Sequence, residues 1–396
     1  MLGSIYVGLS GMNAFSRGLQ AISNNVANLN SPGYKASTVT FSDVFSIGGL
    51  GSGFSQRGRL TGQGVRFGSQ SIDFTQGDVR QTGGDLDLAV QGSGFLVLTG
   101  ADGPYYARTG QFGIDGEGFV SLLGSTYRLN ILDESGRASP VNVDDRRISR
   151  PEATRNVRLN GNVSTGATDV NVSDVIVHDA RGGRHVWKIN LKPSTETPSV
   201  PGKWSVTVTD ETGAIVDAPK ALQFSLAGAV TDPSQLSFSY TGDDGEATSV
   251  TLDFSTVTSF SAGTTSSLRA STVDGVGLGT LTSVTITEAG TVRLTYSNSR
   301  TEDLGAVALA AFRDPQALER TGGGVFRNTG DAPTLASSAQ TSVGTLVSRQ
   351  IEASNVDLAQ QFGDLILVQR GFQASSQVVS VSNDMIQQLF GIRGQG

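Results

Sequence analysis

At 396 residues the chain is long enough for two or three domains, and its formal net charge of -7 argues against a nucleic-acid partner, which calls for a basic face. It has no cysteine, which excludes disulfide staples and thiolate-held metals. Its 51 glycines, 16% charged residues and short alternating apolar runs point to β-rich domains joined by tight turns.

The first thirty residues read as a helix. Ile5, Met12, Leu19 and Val26 fall seven apart, with Leu9, Phe15, Ile22 and Leu29 beside them. The C-terminal stretch from Ile351 to Ile392 repeats the pattern in Leu358, Leu365, Phe372, Val379 and Ile386, with Phe362, Val368, Leu389 and Phe390 widening the stripe. A seven-residue recurrence asks for a partner helix, so residues 1–35 and 350–396 are expected to form a coiled-coil-like inner domain. Gln361, Gln369, Ser375 and Ser382 interrupt that seam with polar groups that cost stability but fix register. Isolated helices of this length are marginal in water, so both ends are expected to order only when packed. Pattern alone leaves open whether the pair caps a globule or is an assembly device. No basic residue precedes Arg17 and no uninterrupted apolar h-region is present, so a cleaved signal peptide is not expected. No run approaches the roughly 18 apolar residues of a membrane helix, so direct membrane insertion is not expected either.

After the first helix, Pro32 and Gly33 end the helical pattern and turn the chain. A helix terminus explains that pair but not the density of asparagine before it. The run Asn24, Asn25, Val26, Ala27, Asn28, followed by Gly33, Tyr34 and Lys35, resembles the N-terminal signature of the bacterial flagellar rod and hook axial proteins. Residues 36–70 are Gly-rich and read as an extended connector, since no complete phosphate-binding glycine motif is present. Residues 71–146 then show short strands and glycine turns, including Leu86–Val90 and Phe95–Leu98. The runs Asp85–Leu96 and Arg108–Phe112 resemble the first β-domain of the same family.

A charged, Pro-containing stretch around Arg146–Arg155 marks a boundary, and residues 147–284 read as a second β-domain inserted into the first, which resumes over 285–349. Val177, His178, Asp179 and Trp204 resemble the second domain of the hook branch of the family. His178 and His185 alone do not make a metal site, because no third ligand of matched spacing accompanies them. Asp85, Asp87 and Asp115 sit in hairpin register with no base nearby, so catalysis is not expected. Ser299 stands where the family carries glycine, leaving one turn type open. Glu352–Asp357 reads as the polar opening of the C-terminal helix.

The resemblance spans nearly the whole chain. It implies a mainly β fold with helical termini and no cofactor. The implied function is structural: a flagellar hook subunit that polymerises into a curved tubular universal joint passing torque from rod to filament. The inner-helix residues named above would carry polymerisation. The implied partners are other copies of the chain, a distal rod protein, a hook cap protein, a hook-filament junction protein and the flagellar type III export apparatus; the implied location is the extracellular hook attached to the basal body. Two other readings stay open: a distal rod subunit, and a secreted β-rich adhesin presenting Trp187 or Trp204.

Overall fold

The computed structural model describes residues 2–47, 60–133, 135–195, 201–231, 233–242, 245, 247–337 and 343–393. Two α-helices, α1 (Leu2–Ala27) and α2 (Leu358–Arg393), bracket a chain otherwise built of strands, as the periodicity predicts. Two compact units result: Met1–Asp144 with Val284–Arg293 and Asp303–Gly396, and Asp145–Ser283 with Leu294–Glu302.

In the first unit the strand Phe95–Gly100 is central. It pairs antiparallel with Gly103–Ala107 (Leu96↔Ala107), with Arg128–Leu132 (Leu98↔Leu129) and with the return strand Thr301–Ala311 (Leu309↔Leu96). The apolar run of that return strand is buried from Val307 to Ala310, which is why its alternation is lost. Phe95, Val97, Tyr106, Ala308, Ala310, Leu318 and Phe326 form one core beneath it. Thr345–Ser348 pairs with Asp87–Gln91, and Gln350–Glu352 pairs with Val79–Gln81, so the chain comes back to the strands from which it left. Strand pairing of the ribbon stops at Ile72, before Asp73 and Phe74.

Residues 36–70, expected as an extended connector, hold a two-stranded antiparallel ribbon, β1 (Ser37–Ile47) and β2 (Leu60–Ile72), in register from Ser37↔Ile72 to Ile47↔Leu60. Ser, Thr and Gly make up nearly half of it, which hides the strand period. The ribbon rests on α1, with Phe41 packing 5.5 Å from Phe15 and the Arg17 guanidinium 5.2 Å above the Phe67 ring. The run Gly48–Gly53, with Phe54, Arg57 and Arg59, lies outside the described residues.

The second unit is two sheets on one core. Val170–His178, Arg184–Pro193, Lys203–Thr209 and Lys220–Gln223 form an antiparallel sheet. Gln235–Thr241, Ala247–Asp253, Asn156–Asn162 and Arg269–Val273 form the other. Strict alternation buries Trp204, Val206 and Val208 from one sheet against Leu236, Phe238 and Tyr240 from the other. Trp187 and Trp204 are both core residues, at 1% and 4% exposure, so neither offers an aromatic binding platform.

One turn recurs through both units. Asp115, Asp133, Asp179 and Asp210 each accept hydrogen bonds from the amides two and four residues on. These carboxylates close hairpins. The Ser121 hydroxyl and the Phe119 amide hold the Asp115 carboxyl below the usual range. In the comparable loop from Tyr296 to Arg300, Ser299 takes φ +63°, the left-handed conformation that the absence of glycine left open. Ser299→Gly should therefore stabilise the second unit by about 0.5–1 kcal/mol, the relief of strain outweighing the entropy of an extra glycine. A lowered melting temperature would show that Ser299 contributes more than strain.

Candidate assembly seam and its anchor

α1 and α2 run antiparallel in contact. The residues that face one another are small. A Cβ added to Gly8 would lie 2.7 Å from Val379 Cγ2 and 3.1 Å from the Ser375 carbonyl; one on Gly11, 2.6 Å from Ser375 Oγ; one on Gly18, 3.3 Å from Val368 Cγ1. From the other side, a Cβ on Gly371 would lie 2.5 Å from the Phe15 ring. The seam closes with Asn25 Nδ2 donating to Gln361 Oε1 at 2.9 Å. Gly11, Gly18 and Asn25 are seven apart, as are Gln361, Val368, Ser375 and Ser382, so the heptad is real but its contact row is small and polar.

The rows chosen for apolar size stand one flank away, except Val379, which meets Gly8 in the seam. Ile5, Met12, Leu19 and Val26 are half-buried, as are Leu365, Phe372, Val379 and Ile386. Leu9 and Leu358 are 54% and 38% exposed. Helix separation is set by the smallest residues at the contact, whereas hydrophobic pattern detects the largest. The polar positions expected as interruptions, Gln361, Ser375 and Ser382, are in the seam itself. The C-terminal helix also starts later than expected: Ile351 and Glu352 are in a strand, and Asp357 caps α2 by accepting from the amides of Ala359 and Gln360 at 2.8 and 3.2 Å.

The signature segment anchors this pair to the first β-unit. Asn25 is 1% exposed and uses its whole amide: Oδ1 accepts from the Ser37 amide at 2.9 Å and from the Tyr34 hydroxyl at 3.2 Å, while Nδ2 also donates to the Ser37 carbonyl. Gly33 turns the chain at φ +67°, and any Cβ there would lie 2.7 Å from Thr109 Cγ2. Its amide donates to the Glu352 carbonyl at 2.8 Å. Of the other signature residues, Asn28 bonds back to the Asn24 carbonyl and accepts from Ser31, a local helix-terminus role, and Ala27 is exposed.

Beyond the turn lies a buried ion cluster. Lys35 Nζ donates to Glu352 Oε1 at 2.6 Å and to the Thr75 carbonyl at 2.7 Å, with both charged side chains fully inaccessible. Arg108 Nε stands 3.6 Å from Glu352 Oε2, and the guanidinium donates to the carbonyls of Gly92 and Gly94. The Gly77 amide gives Glu352 Oε1 a further donor at 2.8 Å. Two cations thus share one carboxylate out of water. Burial lowers the pKa of Lys35 and of Arg108, and Glu352 opposes that in each case. Asn355 adds the last tie, accepting from the Ala36 amide at 2.7 Å and donating to the Asp73 and Thr75 carbonyls. No local signal points to Glu352 as the partner of Lys35, because 317 residues separate them.

The second-unit histidines hold no ion cluster of this kind. His185 Nε2 is 3.2 Å from Asp179 Oδ2 and its ring packs 5.2 Å from Tyr240. Among the described residues no three His, Asp or Glu side chains gather as a metal site.

The two segments that meet at this anchor are those that known families match. "Flagella basal body rod protein" covers residues 5–35, and "Flagellar basal body rod FlgEFG protein C-terminal" covers residues 347–392. The flagellar hook protein FlgE of Treponema pallidum is 26% identical, spanning 99% of this chain and 100% of its own length. That of Escherichia coli is 27% identical over 97% of this chain and 98% of its own. The chain is similar from end to end to members of the flagellar rod and hook protein family. Its rod branch is represented too, by the flagellar basal-body rod protein FlgG of Bacillus subtilis, 24% identical over 99% of this chain and 100% of its own. Asn25, Lys35, Glu352 and Gln361, which bond N-terminal to C-terminal segment, all fall inside the two regions that match the family models.

Proposed function

We infer that the chain is a structural subunit of the bacterial flagellar hook, polymerising with copies of itself. What carries the reading is end-to-end similarity to hook proteins together with the α1–α2 pair, whose half-buried apolar rows Ile5, Met12, Leu19 and Leu365, Phe372, Val379 are incompletely covered within one chain. A contact between unlike patches, repeated by a screw operation, makes an open tube and not a closed ring. In this reading the helices line the tube, the first β-unit surrounds them and the second unit is the outer surface. The tube is curved and bends by small slides between outer units while the inner contacts persist, which lets it pass torque. The same reading places the chain outside the cell on the basal body and next to rod, cap and junction proteins. No reaction is assigned to it.

A distal rod subunit is the second reading, favoured by the B. subtilis relative. The two differ in the shape of the polymer. Purified chain, allowed to assemble and viewed by electron microscopy, is expected to give curved tubes. Uniformly straight, rigid tubes would favour the rod.

A further inference from the structure

α2 carries a second apolar row that its pairing with α1 leaves uncovered. At 100° per residue, Leu367, Ala374, Val378, Val381 and Met385 fall on one flank of the helix, on the other side of the seam from Leu365 and Phe372. Leu367 is 68% exposed, Val378 44%, Val381 42% and Met385 52%. Val378, Val381 and Met385 have the three-and-four spacing of a helix laid into a groove. Asp384 stands exposed beside them.

A groove of about 550 Å³ lies between α1 and the ribbon, with Ile5, Leu9, Val65 and Phe67 giving it an apolar floor. Arg17 and Arg66 line it, and among the described residues no carboxylate does. By the same helical geometry Leu9 and Arg17 lie on the side of α1 away from Gly8, Gly11 and Gly18, with Ile5 at its flank, so a chain's own α2, held on the glycine face, does not fill the groove. Its length along α1, from Ile5 to Arg17, is about 18 Å, and the row from Val378 to Met385 spans about 10 Å at 1.5 Å per residue.

We propose that this groove receives the Val378–Val381–Met385 row of α2 from a second copy of the chain, with Asp384 set against Arg17 and Arg66. Charge complementarity selects this occupant: the groove is cationic and the row carries an acid at its edge. Groove and row are different patches, so the contact is heterologous and propagates without closing. The inference rests on the polymer reading above and names the surfaces that reading leaves open.

The chain has no cysteine, so single cysteines report this contact cleanly. Chains carrying Leu9→Cys and chains carrying Val381→Cys are mixed in equal amounts, assembled and oxidised, and the linked peptides are identified by mass spectrometry. A disulfide between positions 9 and 381 should dominate in polymer and be absent from unassembled chains. Polymer in which 9–9 or 381–381 links dominate, or in which no link forms, overturns the contact and leaves the polymer reading standing. Failure of the unsubstituted chain to assemble overturns both. A charge exchange checks the same contact without cysteines: Asp384→Arg should slow assembly about tenfold at low salt, and Arg17→Asp with Arg66→Asp in the same chain should restore it. Lack of restoration counts against the pairing.

Discussion

Replacing Glu352 by glutamine is expected to destabilise the first unit by about 3–5 kcal/mol, the cost of leaving buried charge without its partner. The substitution keeps the shape of the side chain and removes only the negative charge. Lys35 and Arg108 then face each other with no anion between them, at 0% and 1% exposure. Lys35→Met is expected to cost less, because Arg108 still opposes the carboxylate and the guanidinium keeps its carbonyl acceptors at Gly92 and Gly94. The order of the two effects, read by calorimetry or thermal melting, is the informative result. Equal losses, or a silent Glu352→Gln, would mean that the cluster is held by its backbone hydrogen bonds and not by charge.

The second large effect is steric. Gly8→Leu with Gly11→Leu places side chains where α2 leaves no space: the first Cβ alone would meet Val379 Cγ2 at 2.7 Å and the Ser375 carbonyl at 3.1 Å. A backbone carbonyl cannot rotate away as a side chain can. Overpacking of this kind costs about 1–3 kcal/mol per site, and only about 1 kcal/mol per site returns through better helix propensity. The helices are expected to separate and assembly to fail, with the melting of the second unit unchanged. Gly363→Ala is the control, since nothing lies within 4 Å of a Cβ there and the helix should be stabilised. Normal assembly by the double leucine variant would place the working contact elsewhere.

The two ends were legible in the sequence because a seven-residue recurrence survives whatever the partner is. Which face meets the partner was not, because Gly8, Gly11, Gly18 and Ser375 carry no hydrophobic signal and act through the space they leave. The second unit was readable for the opposite reason: Trp204, Val206 and Val208 alternate with polar residues, and each buried side chain announces its sheet face. The ribbon escaped because Thr, Ser and Gly occupy six of the 13 positions of β2, so its strand character comes from pairing with β1 and from lying on α1. The turn at Pro32 and Gly33 was visible in its residue types. The bond from Lys35 to Glu352, by contrast, joins residues brought together only by the fold, and local composition could not show it.

Most direct for the claim that the paired helices make the polymer is electron microscopy of the purified chain beside a chain truncated after Val356, which keeps Glu352 and Asn355 but lacks α2. The truncated chain should keep the melting transition of its β-units and remain monomeric, while the full chain builds curved tubes. Tubes built as readily without α2 would contradict the account.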